Sequence, residues 1–146
     1  MTVEIAHTQD DFFRLIRLRE AVFVVEQGIP IAIELDDDDS VALHLVARKG
    51  REVVGTARLV LKGKTGKIGR MAVRKGLRRR GIGTALIEFI KKMSVEMELK
   101  ELLLHAQEEA IPFYERLGFS AFGRRFREAG IPHRKMRLQG STQGVS

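Results

Sequence analysis

The stretch from Gly66 to Met97, GKIGRMAVRKGLRRRGIGTALIEFIKKMSVEM, constrains this chain more than any other. An apolar, strand-like segment from Ile68 to Val73 runs into a helical segment beginning at Ile82, through a loop with six basic side chains between Arg70 and Arg80. Arg78, Arg79 and Arg80 supply charge, Gly81 and Gly83 remove side chains so that backbone N–H groups can approach a ligand, and Thr84 adds a hydroxyl near the helix start. A helix N-terminus leaves its first N–H groups unpaired and carries a partial positive charge, so an anion, phosphate above all, is its natural guest.

Two familiar phosphate loops do not fit. Gly76 and Gly81 have the spacing of a P-loop, but Ile82 and Gly83 follow where Lys and Ser or Thr are needed. A dinucleotide fingerprint needs glycine or alanine where this chain has Leu86. What remains is R-x-x-G-x-G, carried by Arg78, Gly81 and Gly83 after a strand and at the opening of a helix.

Length and composition bound the rest. At 146 residues the chain suits one domain, read as residues 1–139 with a small, polar tail at 140–146. A hydrophobic share of 44% with 31% charged residues is that of a globular protein. The absence of cysteine excludes a disulfide framework, a thiol nucleophile and a thiolate metal site. No signal-peptide pattern opens the chain and no apolar run approaches the roughly 20 residues needed to span a bilayer, so a cytoplasmic protein is expected. A net charge of +7 fits nucleic acid, a membrane surface or a polyanionic small molecule. The concentration of basic residues in one loop, with acidic Asp36 to Asp39 elsewhere, favours the small molecule.

Taken in order, Val3 to His7 suggest a strand, and Thr8 with Asp11 reads as a capping box opening a helix. Phe12, Leu15, Ile16, Val22 and Phe23 lie on one face of it at helical spacing and are assigned to the core. Arg19 falls on the same stripe and needs either a carboxylate partner or an edge from which to reach water. Gly28 to Pro30 break the helix, and Ile31 to Ser40 read as a solvated acidic loop. Val41 to Arg48, Val53 to Leu61 and Lys67 to Val73 predict three antiparallel strands, because their connections are short. Ile82, Leu86, Phe89, Ile90, Met93 and Met97 then hold a helical rhythm. Leu102 to Ala106 read as a strand buried on both faces and parallel to its predecessor, which makes the intervening helix a right-handed crossover. A short helix from Glu108 to Leu117 and strands over Phe119 to Phe126 and Pro132 to Leu138 complete an α/β or α+β sheet flanked by helices.

The R-x-x-G-x-G motif resembles that of the GNAT superfamily of N-acetyltransferases. A second signature of that superfamily is similar to Gln107-x-x-Ala110-x-x-Phe113-Tyr114-x-x-x-Gly118-Phe119, with glutamine in place of the usual asparagine. Arg19 to Gln27, Glu34-x-Asp36, His105 to Gln107 and Phe126 to His133 resemble the ElaA-like branch across nearly the whole chain. The resemblance implies a GNAT-like mixed, mostly antiparallel sheet with a splayed central parallel strand pair. It implies that Arg78, Arg79, Arg80, Gly81, Ile82, Gly83 and Thr84 grip the pyrophosphate of acetyl-CoA. The backbone of Met71, Ala72 and Val73, with Gln107 and Phe113, would then hold the acetyl-pantetheine arm.

Acetyl transfer needs a donor for the oxyanion, an acid for the departing sulfur and a neutral amine. Backbone N–H groups on the splayed strand meet the first need. Tyr114, the only tyrosine, matches the family's acid, and a pKa of ~10 keeps its proton available at neutral pH; as an aromatic in a short helix it also suits the core. For the third need the candidates are Glu26, Glu34, His105, Glu128 and His133. Of these, His105 and Glu34 are placed nearest the chemistry, and Glu26, Gln27, Glu128 and His133 are assigned to the acceptor pocket. His44 reads as structural, and no spacing such as HExxH indicates a metal.

The expected activity is transfer of an acetyl group from acetyl-CoA directly to an amine of a small molecule or protein in a ternary complex. A non-catalytic acetyl-CoA sensor is the alternative. A nucleic-acid-binding strip over Arg70 to Arg80 is disfavoured because no aromatic lies between Leu59 and Phe89 to stack a base. The quaternary state stays open, a homodimer included.

Overall fold

A computed structural model describes residues 1–140. Seven strands form one sheet in the order β1-β2-β3-β4-β5-β7-β6. They are β1 (Thr2–Ile5), β2 (Leu43–Lys49), β3 (Glu52–Lys62), β4 (Thr65–Val73), β5 (Glu101–Gln107), β6 (Ser120–Glu128) and β7 (Ile131–Gln139). Every neighbouring pair is antiparallel except β4 and β5. The single parallel pair is joined by the predicted crossover, which carries α3 (Ile82–Glu96).

Helix α1 (Gln9–Arg19) opens with the expected box: Asp11 N–H donates to Thr8 Oγ1 at 3.0 Å, and Asp11 reaches back to the Thr8 backbone. It continues as a wider, π-helical turn from Glu20–Glu26. Its buried stripe runs through Asp11, Leu15, Leu18, Arg19, Val22 and Phe23, so Leu15, Val22 and Phe23 are core as read and Ile16 packs at its edge, while Phe12 lies off the stripe. Phe12 is 39% exposed, edge-on to His44 at 5.0 Å, and is not core. Asp11 is tolerated inside because Arg48 donates to it.

The segment read as a solvated acidic loop is largely exposed, with Glu34 buried, but it is more ordered than a loop. It forms a helical turn, α2 (Ile31–Glu34), and a 3₁₀ turn over Asp37–Ser40 capped by Asp36. Charge repulsion along the run is offset by arginines. Arg19 Nε donates to Glu34 at 2.6 Å and its Nη1 to Asp39 at 2.7 Å, while Arg58 meets both Asp36 and Asp39. Arg19, only 1% exposed, therefore has carboxylate partners rather than an exit to water.

Helices cover the two sheet faces unequally. On one face α3 and α4 (Ile111–Arg116) bury Leu86, Ile87 and Ile90 against Leu59, Ile68 and Leu104. On the other, α1 packs Leu15, Leu18 and Val22 over Val46 and Ala72. That second layer lies on β3 and β4. Burial in β5 consequently alternates: Leu102, Leu104 and Ala106 are buried, but Leu103, His105 and Gln107 are not. The expectation of a strand buried on both faces is corrected here, since α1 packs over β3 and β4 and the second face of β5 borders a cavity instead. Gly140 N–H donates to Lys100 O at 2.6 Å, fixing the start of the segment read as a tail; the remaining positions, 141–146, lie outside the described residues.

Candidate active site

The parallel pair holds together only from Thr65 and Glu101 to Ile68 and Leu104. Beyond that, β4 stays with β3 and β5 stays with β7, so the two strands splay. A bulge drives β4 aside. Arg58 faces Gly69 and Thr56 faces Ala72, which leaves Arg70 and Met71 opposite Ala57 alone. Arg70 adopts φ +50, a left-handed conformation unusual for a side-chain-bearing residue. Its guanidinium donates to the carbonyls of Ile33 and Glu34 and to Asp36, which holds the bulge in place. Arg70 was read only as part of a basic strip; the positioning role depends on partners more than thirty residues away in sequence.

A cavity of about 500 Å³ opens in the splay, with Met71, Gln107, Phe113, Tyr114, His105 and His133 among its lining residues. The start of α3, where the basic loop ends, adjoins it, because Gly83 lies against Phe113 and Met71 of the lining. Gly81 takes φ +84 with open space where a Cβ would lie, and no side chain caps α3. The first-turn N–H groups of Ile82, Gly83 and Thr84 therefore have no partner among the described residues. A Cβ at Gly83 would approach the Phe113 ring to 3.2 Å, so packing as well as access favours glycine there. Arg79 and Arg80 are exposed. Arg78 donates to both oxygens of Glu26, at 2.6 and 2.8 Å, and through Nε to Val73 O at 3.0 Å. Glu26 thus sits at the anion loop and does not line the cavity assigned to the acceptor. The hydrogen bond from Arg78 holds its carboxyl below the usual range. Gln27 does line the cavity and accepts a hydrogen bond from Gln107 Nε2 at 3.0 Å.

Tyr114 is 8% exposed, with Phe113 edge-on at 5.0 Å and Phe119 at 6.0 Å. Its hydroxyl has no hydrogen-bond partner among the described residues, and burial pushes its pKa above the ordinary value. The two readings of this tyrosine are compatible, because its ring is core while its side chain borders the cavity.

Across the cavity, His105 Nδ1 lies 2.9 Å from Glu128 Oε1. The hydrogen bond with His105 holds Glu128 below the usual carboxylate range, so Glu128 accepts and His105 Nδ1 carries the proton. With Nδ1 so engaged, the lone pair of the uncharged tautomer is on Nε2. His133 donates from Nδ1 to Ile131 O at 2.6 Å and places Nε2 3.8 Å from Glu128 Oε2. Phe126 stands edge-on to His105 and stacks on His133, fixing both rings. Glu34 also borders the cavity, but it is 3% exposed and its carboxylate is committed to Arg19. The structure therefore gives Glu34 a structural bond where the sequence suggested a base. His44 is buried, with Nε2 2.9 Å from Asp39 O, as its structural reading requires. No group of His, Asp or Glu among the described residues has the arrangement of a metal site.

A splayed strand pair beside a cavity, with an uncapped helix next to it, is an arrangement that suits an acyl-CoA-dependent acyltransferase. A family model described as an acetyltransferase (GNAT) domain matches residues 21–139, and the chain belongs to that family. Within it the chain is ElaA-like. Protein ElaA of Escherichia coli (strain K12) is 32% identical over 127 residues, 83% of this chain and 82% of that protein. The ElaA crystal structure matches with a TM-score of 0.86 over 95% of this chain and 100% of its own, at 28% identity. The uncharacterized N-acetyltransferase YjcF of Bacillus subtilis (strain 168) is 32% identical over 137 residues, covering 93% of this chain and 98% of that one. The crystal structure of an acyl-CoA N-acyltransferase from Pseudomonas aeruginosa matches with a TM-score of 0.85 and 30% identity, over 94% and 99% of the two chains.

Proposed function

We propose that this protein transfers an acetyl group from acetyl-CoA directly to the nitrogen of an amine held in the same cavity. The observation that carries the reading is the convergence of Tyr114 and the His105–Glu128 pair on one cavity beside the uncapped start of α3. The names of the relatives, an N-acetyltransferase and an acyl-CoA N-acyltransferase, support the same donor and bond.

The residues present fit the donor. Unpaired N–H groups from Ile82 to Thr84, with Arg79 and Arg80, suit a pyrophosphate, and Gly81 leaves room for it. Beyond Ile68, β4 has no partner on β5, and main-chain groups of Met71 at the bulge can hold the pantetheine amides and the carbonyl oxygen, whereas Ala72 is turned to Thr56 on β3. Val73 contributes less, because its carbonyl already accepts from Arg78. Acetyl-CoA supplies the activated thioester carbonyl. His105 Nε2 takes the amine's proton as the C–N bond forms, with Glu128 fixing the ring tautomer. Tyr114 gives its hydroxyl proton to the sulfur as the C–S bond breaks, and the proton on His105 restores Tyr114 through solvent. The products are an N-acetyl amide and free coenzyme A.

The test combines calorimetry with acetyl-CoA and release of free thiol against a panel of amines. Tyr114→Phe should lower kcat by roughly 10²-fold or more while leaving acetyl-CoA affinity within about twofold. An unchanged kcat removes Tyr114 from the mechanism, and absence of acetyl-CoA binding at millimolar concentration removes the reading as a whole.

A further inference from the structure

Helix α1 is apolar on two sides. Its inner stripe is buried on the sheet, but Phe13 on its outer side is 66% exposed and Phe12 39%. With half-buried Ile16 these rings floor an open groove of about 610 Å³, rimmed by His7, Arg17 and Glu20. At about 100° of rotation and 1.5 Å of rise per residue, the positions of this outer face are ordered around a centre. Phe13 lies near the middle. Phe12 and Ile16 share one edge, on either side of that middle, and Asp10 and Arg17 share the other edge in the same way. Further out, His7 precedes the helix and Glu20 follows it. Opposite charges therefore stand at about equal distances from the centre. The remaining exposed charge on α1, Arg14, points about 100° away from Phe13 and is bound to Asp10 of its own helix at 2.7 Å.

We propose that this face is the interface of a homodimer, in which α1 of a second copy packs antiparallel across a two-fold axis close to Phe13. A two-fold contact sets each residue against the one placed symmetrically about the centre. That places Phe13 on its own counterpart, Phe12 on Ile16 of the second copy, Asp10 on Arg17 and His7 on Glu20. The antisymmetric order of charge selects this occupant. A polyanion, a polycation or a charged lipid surface would meet both signs on the face, whereas a second copy supplies the opposite sign at each position. One helix face is smaller than the roughly 800 Å² per partner of a standard interface, so a Kd on the order of tens of micromolar is expected. The groove shares no lining residue with the cavity that holds His105, so the inference stands apart from the acyl-transfer reading.

Sedimentation equilibrium of the full chain, from micromolar to near-millimolar concentration, should show the mass climb from one chain toward two. Phe13→Asp sets two carboxylates together near the axis and should weaken association roughly tenfold or more. Arg17→Asp alone and Asp10→Arg alone each oppose like charges, and each variant should associate roughly fivefold more weakly than the unaltered chain. An equimolar mixture of those two variants regains both charge pairs and should dimerise within about twofold of the unaltered chain. Circular dichroism checks that each variant is folded. A mass of one chain throughout, a dimer that Phe13→Asp leaves intact, or a mixture no tighter than its components each overturn the proposal. So does a monomer that binds anionic vesicles through Phe13. Absence of acetyl-CoA turnover would overturn the acyl-transfer reading and leave the dimer standing.

Discussion

The two halves of one sheet face use the same kinds of charge for opposite ends. Over β3 and β4, Arg19 and Arg58 are buried and answered by Glu34, Asp36 and Asp39. Over β5 and β7, Lys135 and Arg137 are exposed and unanswered among the described residues. The boundary between the halves is the splay, where Arg70 locks the bulge and His105 meets Glu128. Covered charge is thus structural and open charge is available to a ligand, a division that burial and pairing reveal and charge count does not.

The largest effect should come from testing that division directly. Arg19→Ala would strand Glu34 and Asp39 without their main partner, one of them inside the protein, and should cost about 3–5 kcal/mol of stability. Arg137→Ala removes an exposed cation and should stay within about 0.5 kcal/mol. Urea unfolding of both variants checks the contrast, and similar midpoints would break it.

Next in size is the catalytic boundary. His105→Gln should lower kcat by roughly 10²-fold, with acetyl-CoA binding retained. Glu128→Gln should cost less, because His133 and Phe126 still confine the ring, and it should also alter the pH dependence of kcat/KM. Equal losses from the two changes would mean that Glu128 does more than orient His105.

A smaller effect concerns acid. Burial opposes ionisation of Asp11, Asp36 and Asp39, yet hydrogen bonds from Arg48, Arg58 and Arg19 outweigh it, and all three stay below the usual range, Asp11 at about 2. A depressed folded pKa contributes stability that is present above the unfolded value, ~4, and lost as pH falls through the folded one. Melting temperature should therefore fall steeply between about pH 4 and pH 2, and hydrogen exchange should show α1 loosening before β5 and β7. Exchange that begins in β5 and β7 would place the acid-sensitive contacts in the open half instead.

What the sequence disclosed follows from how local each signal is. The strand, loop and helix from Lys67 to Glu96 are legible because glycine, charge and apolar rhythm all lie within thirty residues. The place of Tyr114 beside the cavity is legible through the second signature, and that of His105 through the ElaA-like match. That Arg19 needs a carboxylate or an edge follows from its place on an apolar stripe, but the choice does not, because its partners lie 15 and 20 residues away in a stretch that composition marks as solvated. The second face of β5 was misassigned for the same reason. An apolar run reports what one strand can bury, and whether a helix lies over it is decided by α1 stopping at β4. The Arg70 bulge and the Glu26–Arg78 pair are long-range as well, with no periodicity to announce them.

That last pair gives the smallest prediction and the finest test of the contrast between answered and available charge. Arg78 stands in the anion loop, where a pyrophosphate would look for it, yet Glu26 takes both of its terminal nitrogens and Val73 its Nε. Both side chains are partly exposed, and exposed pairs contribute only about 0.2–1 kcal/mol, so a polyanion can displace the carboxylate at small cost. Glu26 also repels the phosphates by its own charge. Glu26→Gln should therefore tighten acetyl-CoA binding by about two- to fivefold in calorimetry, with the gain fading at high salt. Weaker binding in this variant would show that Glu26 holds Arg78 in its binding pose, which would move Arg78 from the available charges to the structural ones.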